Sequence, residues 1–472
     1  MKVLLIFPPR THAARILLLD SIEEHMGHKP PLGLMYIAAY LKRNSVHEVF
    51  LLDSQVEDLS VPQILAQVDR INPDVVGITA WTDYWYDITR LIEGIKRRNR
   101  GTHVSLGGPH ASVFPKLSLD HPGVDSIILG DGEAPFLALV DALSGGSSPR
   151  GIPGLFLKGD EANAENSSFY WHENLDELPF PARTALPLQN YTSVLGKERL
   201  ATTMVTSRGC PFQCIFCKLH YQRTRLRSAD NVVEEFQEIR GLGIREIELY
   251  DDTFSVSRQR VIDICQELER RKLGVNWMCR DRVDNVDEET LSWMKRAGCS
   301  RIHLGVESGS DRTLKTVKKG ITTSQIRAAV GAAKRAGLEV LTYFMLGLPG
   351  ETREDIGETI AFAIELDPDY ATFSVTIPYP GTELYNRGLA EGVIPRDYWR
   401  EYVEQPVPDF CLPHLYEEHL TKEELLRVRN RAIKQFYFRP RYIRKNLSRV
   451  TSLRALLRRA RMALSLFKET GR

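Results

Sequence analysis

Short apolar runs alternate with segments of helical spacing twice along this chain, and that double alternation constrains its fold more than any other feature. In the first series the runs are KVLLIF (2–7), EVFLLD (48–53), VVGITA (75–80), HVSLGG (103–108) and VDSIILG (124–130). Between them, residues 32–43, 61–71, 88–98 and 134–143 repeat apolar positions at helical intervals. Strands that are apolar throughout, with helices between them, predict a parallel sheet covered on both faces. Ligands of such doubly wound sheets sit outside the carboxyl ends of the strands. Those ends hold small or turn-forming residues here: Pro8, Pro9, Thr79, Gly107, Gly108, Gly130 and Gly132.

A second series begins near residue 199. Its strands are expected at 201–206, 244–252, 275–280, 300–308, 339–347 and 370–378, with helices near 229–241, 257–272, 287–297, 323–336 and 353–366. Six strand–helix units in a row predict a partial TIM-type (β/α)6 barrel with its site at the carboxyl ends of the strands. The resulting division is α/β throughout: a Rossmann-like domain over 1–145, a bridge over 146–198, the barrel over 199–400, and a C-terminal helical region over 401–472.

The overall charge balance, 62 basic against 61 acidic residues, conceals an asymmetry. Residues 439–472 hold eleven Lys/Arg and one acid, a net of +10, which leaves the first 438 at −9. Leu447, Val450, Leu453, Leu457, Ala460, Leu464 and Phe467 recur there at spacings of three and four, so a basic amphipathic helix is expected. Such a helix suits the anionic inner face of a membrane, with a lipid-like hydrophobic substrate as the corollary. A helix packed on the barrel with a solvated basic face is the alternative. Nucleic acid is not expected as a partner. No apolar stretch reaches the ~18 residues of a spanning helix, and no secretory signal is visible. Cys265, Cys279, Cys299 and Cys411 are scattered without pairing, which fits a reducing cytoplasm.

The remaining three cysteines crowd into RGCPFQCIFCKLH (208–220), at Cys210, Cys214 and Cys217, directly after the first barrel strand. Structural zinc takes four ligands and would need His220 as the fourth. A redox pair would use Cys214 and Cys217 and leave Cys210 unexplained. An iron–sulfur cluster held by three thiolates, with one iron left for another ligand, uses all three.

CPFQCIFC, with Phe216 as the aromatic, resembles the Cys-x3-Cys-x-aromatic-Cys signature of radical S-adenosylmethionine (SAM) enzymes. The resemblance implies a [4Fe–4S] cluster on Cys210, Cys214 and Cys217 that chelates SAM and cleaves it to a 5′-deoxyadenosyl radical, with an electron donor such as flavodoxin or ferredoxin. It further implies cofactor contacts: Asp251 and Asp252 to the methionine amine, Glu307 and Ser308 to the ribose, and Gly347 in FMLGLPGET to the adenine. Arg280, which ends the third strand, is a candidate for a substrate or cofactor carboxylate.

The first domain resembles the cobalamin (B12)-binding domain fused to one class of these enzymes, through PPLGLMYIAAYL, GGPHAS and GDGEAPF. The resemblance places the corrin against Pro8, Pro9, Arg10, Thr79, Ala80, Trp81, Gly107, Gly108 and His110, and the nucleotide tail near Gly130, Asp131, Gly132 and Glu133. The loop after the first strand lacks the cobalt-ligating Asp-x-His-x-x-Gly, and His12 does not fit its spacing. Methyl transfer from methylcobalamin to a substrate carbon is the first expectation. Oxidative cyclisation, as in the anaerobic magnesium-protoporphyrin monomethyl ester cyclase, is the second. A non-catalytic cobalamin and iron–sulfur sensor is an alternative of another class. No substrate base can be named from the sequence.

Overall fold

The computed structural model describes residues 1–14, 28–160, 164, 169–193, 196, 198, 200–218 and 223–447. His220 and the apolar stripe from Val450 onward lie outside them. The chain divides into two units: one built on the N-terminal strand, residues 28–192 and Asp397–Leu412, the other on Ser193–Arg396 and the chain from Pro413.

Each alternation forms its own sheet. In the first unit, β1 (Lys2–Phe7), β2 (Glu48–Asp53), β3 (Val75–Thr79), β4 (His103–Gly107), β5 (Ser126–Ile128) and β6 (Leu155–Leu157) pair in the order β2-β1-β3-β4-β5-β6. All neighbours are parallel except the pair β5–β6. Val3, Leu4, Leu5 and Ile6 are all buried, on both faces of β1, which is why the sequence reads as an unbroken apolar run. Each such side chain contributes roughly 1.5–3 kcal/mol of burial. The helices α1 (Leu32–Asn44), α2 (Val61–Ile71), α3 (Trp85–Arg98), α4 (Pro109–Val113) and α5 (Glu133–Ser144) lie between these strands in chain order. Ser60 and Gln63 close a capping box on α2, an arrangement that contributes about 1 kcal/mol. The chain order reverses between β1 and β3, so a ligand crevice belongs outside their carboxyl ends.

The chain returns to this unit at Asp397–Leu412. Trp85 donates its indole N–H to the Val403 carbonyl (3.0 Å), Tyr86 N–H donates to the Tyr402 hydroxyl (3.2 Å), and Tyr402 stacks on Phe410 at 4.4 Å. The segment straddles residue 400, where the expected barrel boundary fell.

In the second unit, β7 (Ala201–Met204) is followed by the short hairpin β8 (Ser207–Arg208) and β9 (Arg225–Leu226), then α6 (Ala229–Gly241), β10 (Glu246–Leu249), α7 (Arg258–Arg271), β11 (Asn276–Arg282), α8 (Glu288–Arg296), β12 (Cys299–Glu307), α9 (Thr323–Arg335), β13 (Glu339–Leu346), α10 (Arg353–Leu366) and β14 (Tyr370–Val375). Six strands lie parallel in sequential order, β7-β10-β11-β12-β13-β14, which is the open six-stranded barrel the sequence predicts. Capping boxes at Thr322 and Thr352 start α9 and α10.

The free edge of β14 is covered by α11 (Lys422–Tyr437), whose Tyr437 hydroxyl donates to Ala371 O (2.7 Å) and accepts from Ala371 N–H (3.1 Å). That satisfies backbone groups an edge strand would otherwise present for pairing. α12 (Pro440–Leu447) follows, with Lys445 3.3 Å from Asp369 and 3.7 Å from Asp367, and Arg439 paired with Asp367. Part of the tail's positive charge therefore answers carboxylates at the amino ends of the barrel strands. A cavity of about 870 Å³ lies there among Lys295, Lys334, Asp369, Arg441 and Arg444, and it contains none of the expected site residues.

Candidate active site

The cysteine loop leaves the end of β7 and returns through the β8–β9 hairpin, where Ser207 pairs with Leu226 and Arg208 with Arg225. Asp251, buried after β10, holds the departing strand: it accepts from Thr206 N–H (2.6 Å), Ser207 Oγ (2.7 Å) and Thr206 Oγ1. Burial pushes its carboxyl up, and the Thr206 and Ser207 donors with the nearby Arg260 oppose that. Asp252 next to it accepts Gly209 N–H (3.1 Å) and is otherwise exposed. The two aspartates the sequence grouped together therefore differ: Asp251 is committed to the loop's base, and Asp252 is open to a ligand. Arg260 reinforces the same base, donating to Thr206 O and Arg227 O at 2.6 Å each, and Arg227 pairs with the buried Glu235.

The loop is anchored at its middle. Ile215 is buried with Val317, Leu348, Leu384 and Tyr416, and Phe216 packs against that cluster. Ile215 N–H donates to Val317 O, and its own carbonyl accepts from Leu384 N–H (2.9 Å). Cys210 and Cys214 are half-buried, and Cys217 is exposed as a residue. Burial and the two neighbouring thiols nevertheless push the Cys217 thiol up to about 11. Burial also raises Cys214, opposed by Lys319 and Arg282. No three His, Cys, Asp or Glu side chains converge on a single-ion site among the described residues. The thiols instead sense each other's charge around one loop, with the Arg282 Nη1 donor 3.8 Å from Cys214 Sγ; Thr253 Oγ1, which donates to Asp252 O, lies 3.6 Å from Cys210 Sγ. Three free thiols in one loop, with a guanidinium N–H facing sulfur, are a donor set that fits an iron–sulfur cluster.

Arg282 is the residue the sequence reading passed over in favour of Arg280. Its guanidinium lies 3.6 Å over the Phe212 ring, donates to Lys319 O (2.6 Å), and is held by Asp284 at 2.9 Å. Lys319, also unforeseen, forms a buried ion pair with Glu307 at 2.6 Å. Glu307 has φ +68°, a left-handed conformation that costs a non-glycine residue on the order of 1 kcal/mol, at a register shift between β12 and β13. Gly305 makes room for the pair, since a Cβ there would stand 2.6 Å from Glu307 Oε1 and 2.8 Å from Lys319 Nζ. Ser308 points the other way: it is buried, with its hydroxyl 3.2 Å from Thr359 on α10. Gly347 has φ +80°, and a Cβ on it would meet Leu425 of α11 at 2.7 Å, so the close approach at this glycine is made by a protein side chain. Its N–H, with that of Leu348, is accepted by Glu351, whose buried carboxyl is pushed up to about 7. Arg280 lies on the inner face of β11, stacked 3.8 Å over Tyr250 and 3.0 Å from Glu248.

In the first unit, Pro8 and Pro9 are buried and Arg10 is exposed at the end of β1. A cavity of about 490 Å³ opens there between Pro9, Arg10, Thr11, Ser54, Gln55 and His28. Thr79 and Ala80 end β3, and Trp81 beyond them is 43% exposed, an unusual degree for an indole. An open polar cavity and a free aromatic face at the reversal point of the sheet fit a large flat cofactor. Gly107 and Gly108 end β4, but His110 does not join this surface: it is fully buried, stacked on Trp85 at 4.0 Å, with Nδ1 3.2 Å from the Thr82 hydroxyl. Burial pushes it down to about 3, so it is a neutral core residue. His12 is also engaged, its backbone N–H on Asp87 (2.8 Å) and its ring 3.7 Å from Asp409. Gly130, Asp131, Gly132 and Glu133 are separate from the cavity. Gly130 bridges Tyr170, whose carbonyl would be 2.1 Å from an added Cβ, Asp131 accepts from His172 N–H (2.9 Å), and Glu133 is buried.

A doubly wound sheet with an open cofactor-sized crevice, and a separate six-stranded barrel with three thiols at the end of its first strand, define a two-unit α/β enzyme built around bound cofactors. Residues 204–363 match the Radical SAM superfamily and residues 25–140 match the B12 binding domain. The chain is 36% identical over 453 residues, 95% of both proteins, to an uncharacterised methyltransferase of Pyrococcus horikoshii. It is 30% identical to the anaerobic magnesium-protoporphyrin IX monomethyl ester cyclase of Rubrivivax gelatinosus, over 77% of this chain and 67% of that one. Among solved structures, the fold is similar to the radical SAM methyltransferase TsrM of Kitasatospora setae, a structure with cobalamin and a [4Fe–4S] cluster bound (TM-score 0.67, 19% identity, 83% of this chain and 78% of that one). It is also similar to the cobalamin-dependent radical enzyme OxsB (TM-score 0.66, 18% identity, 99% and 72%). The chain belongs to the family of radical SAM enzymes that carry a B12-binding domain.

Proposed function

We propose that this enzyme is a cobalamin-dependent radical SAM methyltransferase acting on a carbon of a small-molecule substrate. The observation that carries the reading is the three-thiol loop at the end of β7, braced by Asp251 and facing Arg282 and Thr253. When bound, the cluster and SAM supply hydrogen-atom abstraction, and the corrin supplies a methyl group. This chain's residues then have distinct tasks. Cys210, Cys214 and Cys217 hold the cluster, and Phe216 fixes the loop that carries them. Asp252 is placed to take the methionine amine, because it lies beside the loop with an open carboxylate, while Arg282, held by Asp284 and the Lys319 carbonyl, presents its remaining N–H to Cys214. Glu307 is held by Lys319 for a sugar hydroxyl. In the first unit, Arg10, Trp81 and the cavity at Ser54, Gln55 and His28 would hold the corrin.

Methyl transfer is preferred over cyclisation because the methyltransferase relative matches over 95% of both chains, whereas the cyclase of Rubrivivax has a third of its length outside the match. An electron donor such as flavodoxin or ferredoxin completes the cycle. Contact with an anionic membrane face through residues 439–472 is part of the proposal only beyond α12, whose Lys445 already answers Asp367 and Asp369. No helix among the described residues is long and apolar enough to cross a membrane.

The test is anaerobic purification, cluster reconstitution and reduction in the presence of SAM and hydroxocobalamin. Visible cluster absorbance that vanishes when the three cysteines become Ala, corrin retained after desalting, and 5′-deoxyadenosine on reduction are the expected results. A cluster without retained corrin removes methylation from the proposal. A cluster that yields no 5′-deoxyadenosine removes radical chemistry.

A further inference from the structure

Side chains of β11 to β14 alternate between the helices and the barrel's interior, and the outward set is identified by its packing. Phe344 and Phe373 stack at 5.3 Å, and Phe373 meets Phe436 of α11. Their neighbours Tyr343 and Ser374 therefore face inward, at β13 and β14. By the same alternation Arg280 and His303, paired in register, face inward from β11 and β12. Closed barrels fill this space with Val, Ile and Leu. Here hydrogen-bonding residues stand among the inward positions, with the Tyr343 hydroxyl 2.9 Å from His303 Nδ1 and Ser374 exposed.

An arginine on such a wall is costly to desolvate and needs a reason. Arg280 is held in one plane by Tyr250 (3.8 Å) and Glu248 (3.0 Å), yet 37% of its side chain stays open, and its buried Nε meets no acceptor. A guanidinium has five N–H donors in a fixed fork, and a fork already held in place loses little freedom when it takes an oxyanion. The neighbouring cations are committed elsewhere: Arg282 to Asp284 and Lys319 O, Lys319 to Glu307, and Arg301 to Glu339 at 2.7 Å.

We propose that the barrel interior recognises a substrate carrying an oxyanion, a carboxylate or a phosphorus oxyacid, bound by Arg280 on the wall that also carries the Tyr343 and Ser374 hydroxyls. This deepens the proposed function and rests on it for taking the interior as the substrate chamber. A long apolar body on the same substrate is compatible with it, since only the head group is specified.

The experiment uses the full-length reconstituted enzyme with SAM, and calorimetric titration with phosphonoacetate and its uncharged trimethyl ester. Wild type is expected to bind phosphonoacetate 1:1 and not the ester. Arg280→Gln should weaken that binding by at least about tenfold, with Arg280→Lys between the two. Arg441→Glu, at the cavity on the opposite end of the strands, should bind as wild type does. SAM affinity by equilibrium dialysis should stay within about twofold in Arg280→Gln. No binding to wild type, equal binding to Arg280→Gln, or equal binding of the ester overturns the proposal. A matching loss of SAM affinity overturns it too, because Arg280 would then serve the cofactor carboxylate. Failure of the radical SAM reading has its own signature, absence of 5′-deoxyadenosine from wild type, which does not depend on anion binding.

Discussion

Arg282 and Cys214 stand 68 positions apart in sequence, and the guanidinium of one faces the sulfur of the other at 3.8 Å. The same guanidinium covers Phe212 and ties down the Lys319 carbonyl, so one side chain links the cysteine loop, β11 and the segment between β12 and α9.

Replacing Arg282 by Gln removes a charged donor from sulfur and from a buried carbonyl. Such bonds are worth about 1.5–3 kcal/mol. The expected outcome is lower iron retention per chain and a more negative cluster potential, read by iron analysis and redox titration. Unchanged values for both would show that the contact is incidental.

Asp251 and Asp252 should separate in mutagenesis. Asp251→Asn disturbs three buried hydrogen bonds at the base of the loop and should cost about 2–4 kcal/mol of stability, seen in denaturant unfolding. Asp252→Asn should leave unfolding nearly unchanged and weaken SAM binding by about tenfold. The reverse pattern would reassign the two residues.

Lys319→Met leaves Glu307 buried and unpaired, and loss of one partner of a buried pair costs about 3–5 kcal/mol. Adding Glu307→Gln should recover part of that stability without restoring SAM binding. A double-mutant cycle on thermal unfolding measures the coupling. Coupling near zero would mean that the two charges are already screened.

His110 makes a pH prediction. Its folded-state pKa is depressed from 6.5 to about 3, so between those values the unfolded chain binds the extra proton. Stability is therefore fully present above about pH 7 and falls as pH drops toward 3, by up to about 1.4 kcal/mol per pH unit. Chemical denaturation from pH 7 to 4 should show this slope, and His110→Gln should flatten it. Corrin retention per folded molecule should not change in that variant, because the imidazole is sealed against Trp85.

Gly347→Ala places a methyl group in a left-handed backbone and against Leu425. A cost of about 1–3 kcal/mol is expected, partly relieved by Leu425→Ala. Full relief would mean that contact alone fixes this glycine.

The sequence by itself determined the two sheets, the order of their elements and the cysteine loop. The apolar run of Val3 to Ile6, the caps at Ser60, Thr322 and Thr352, and the crowding of Cys210, Cys214 and Cys217 are local signals, written within a few residues of where they act. β6 was missed because three residues at a sheet edge carry no period, and the return at Asp397–Leu412 because its partners Trp85 and Tyr86 lie more than 300 positions away. Tertiary structure alone decided what each of two neighbouring polar residues is held by. Asp251 and Asp252, Glu307 and Ser308, and Arg280 and Arg282 read alike in the chain, yet the turn after β10 buries Asp251 and leaves Asp252 exposed, the bulge at Glu307 turns it to Lys319 and Ser308 to Thr359, and Arg280 and Arg282, two apart on one face of β11, are held by Glu248 and Asp284. His110, Gly130 and Gly347 were legible as special positions. What fills the space beside them, Trp85, Tyr170 and Leu425, comes from distant segments, and packing rather than local sequence brings it there.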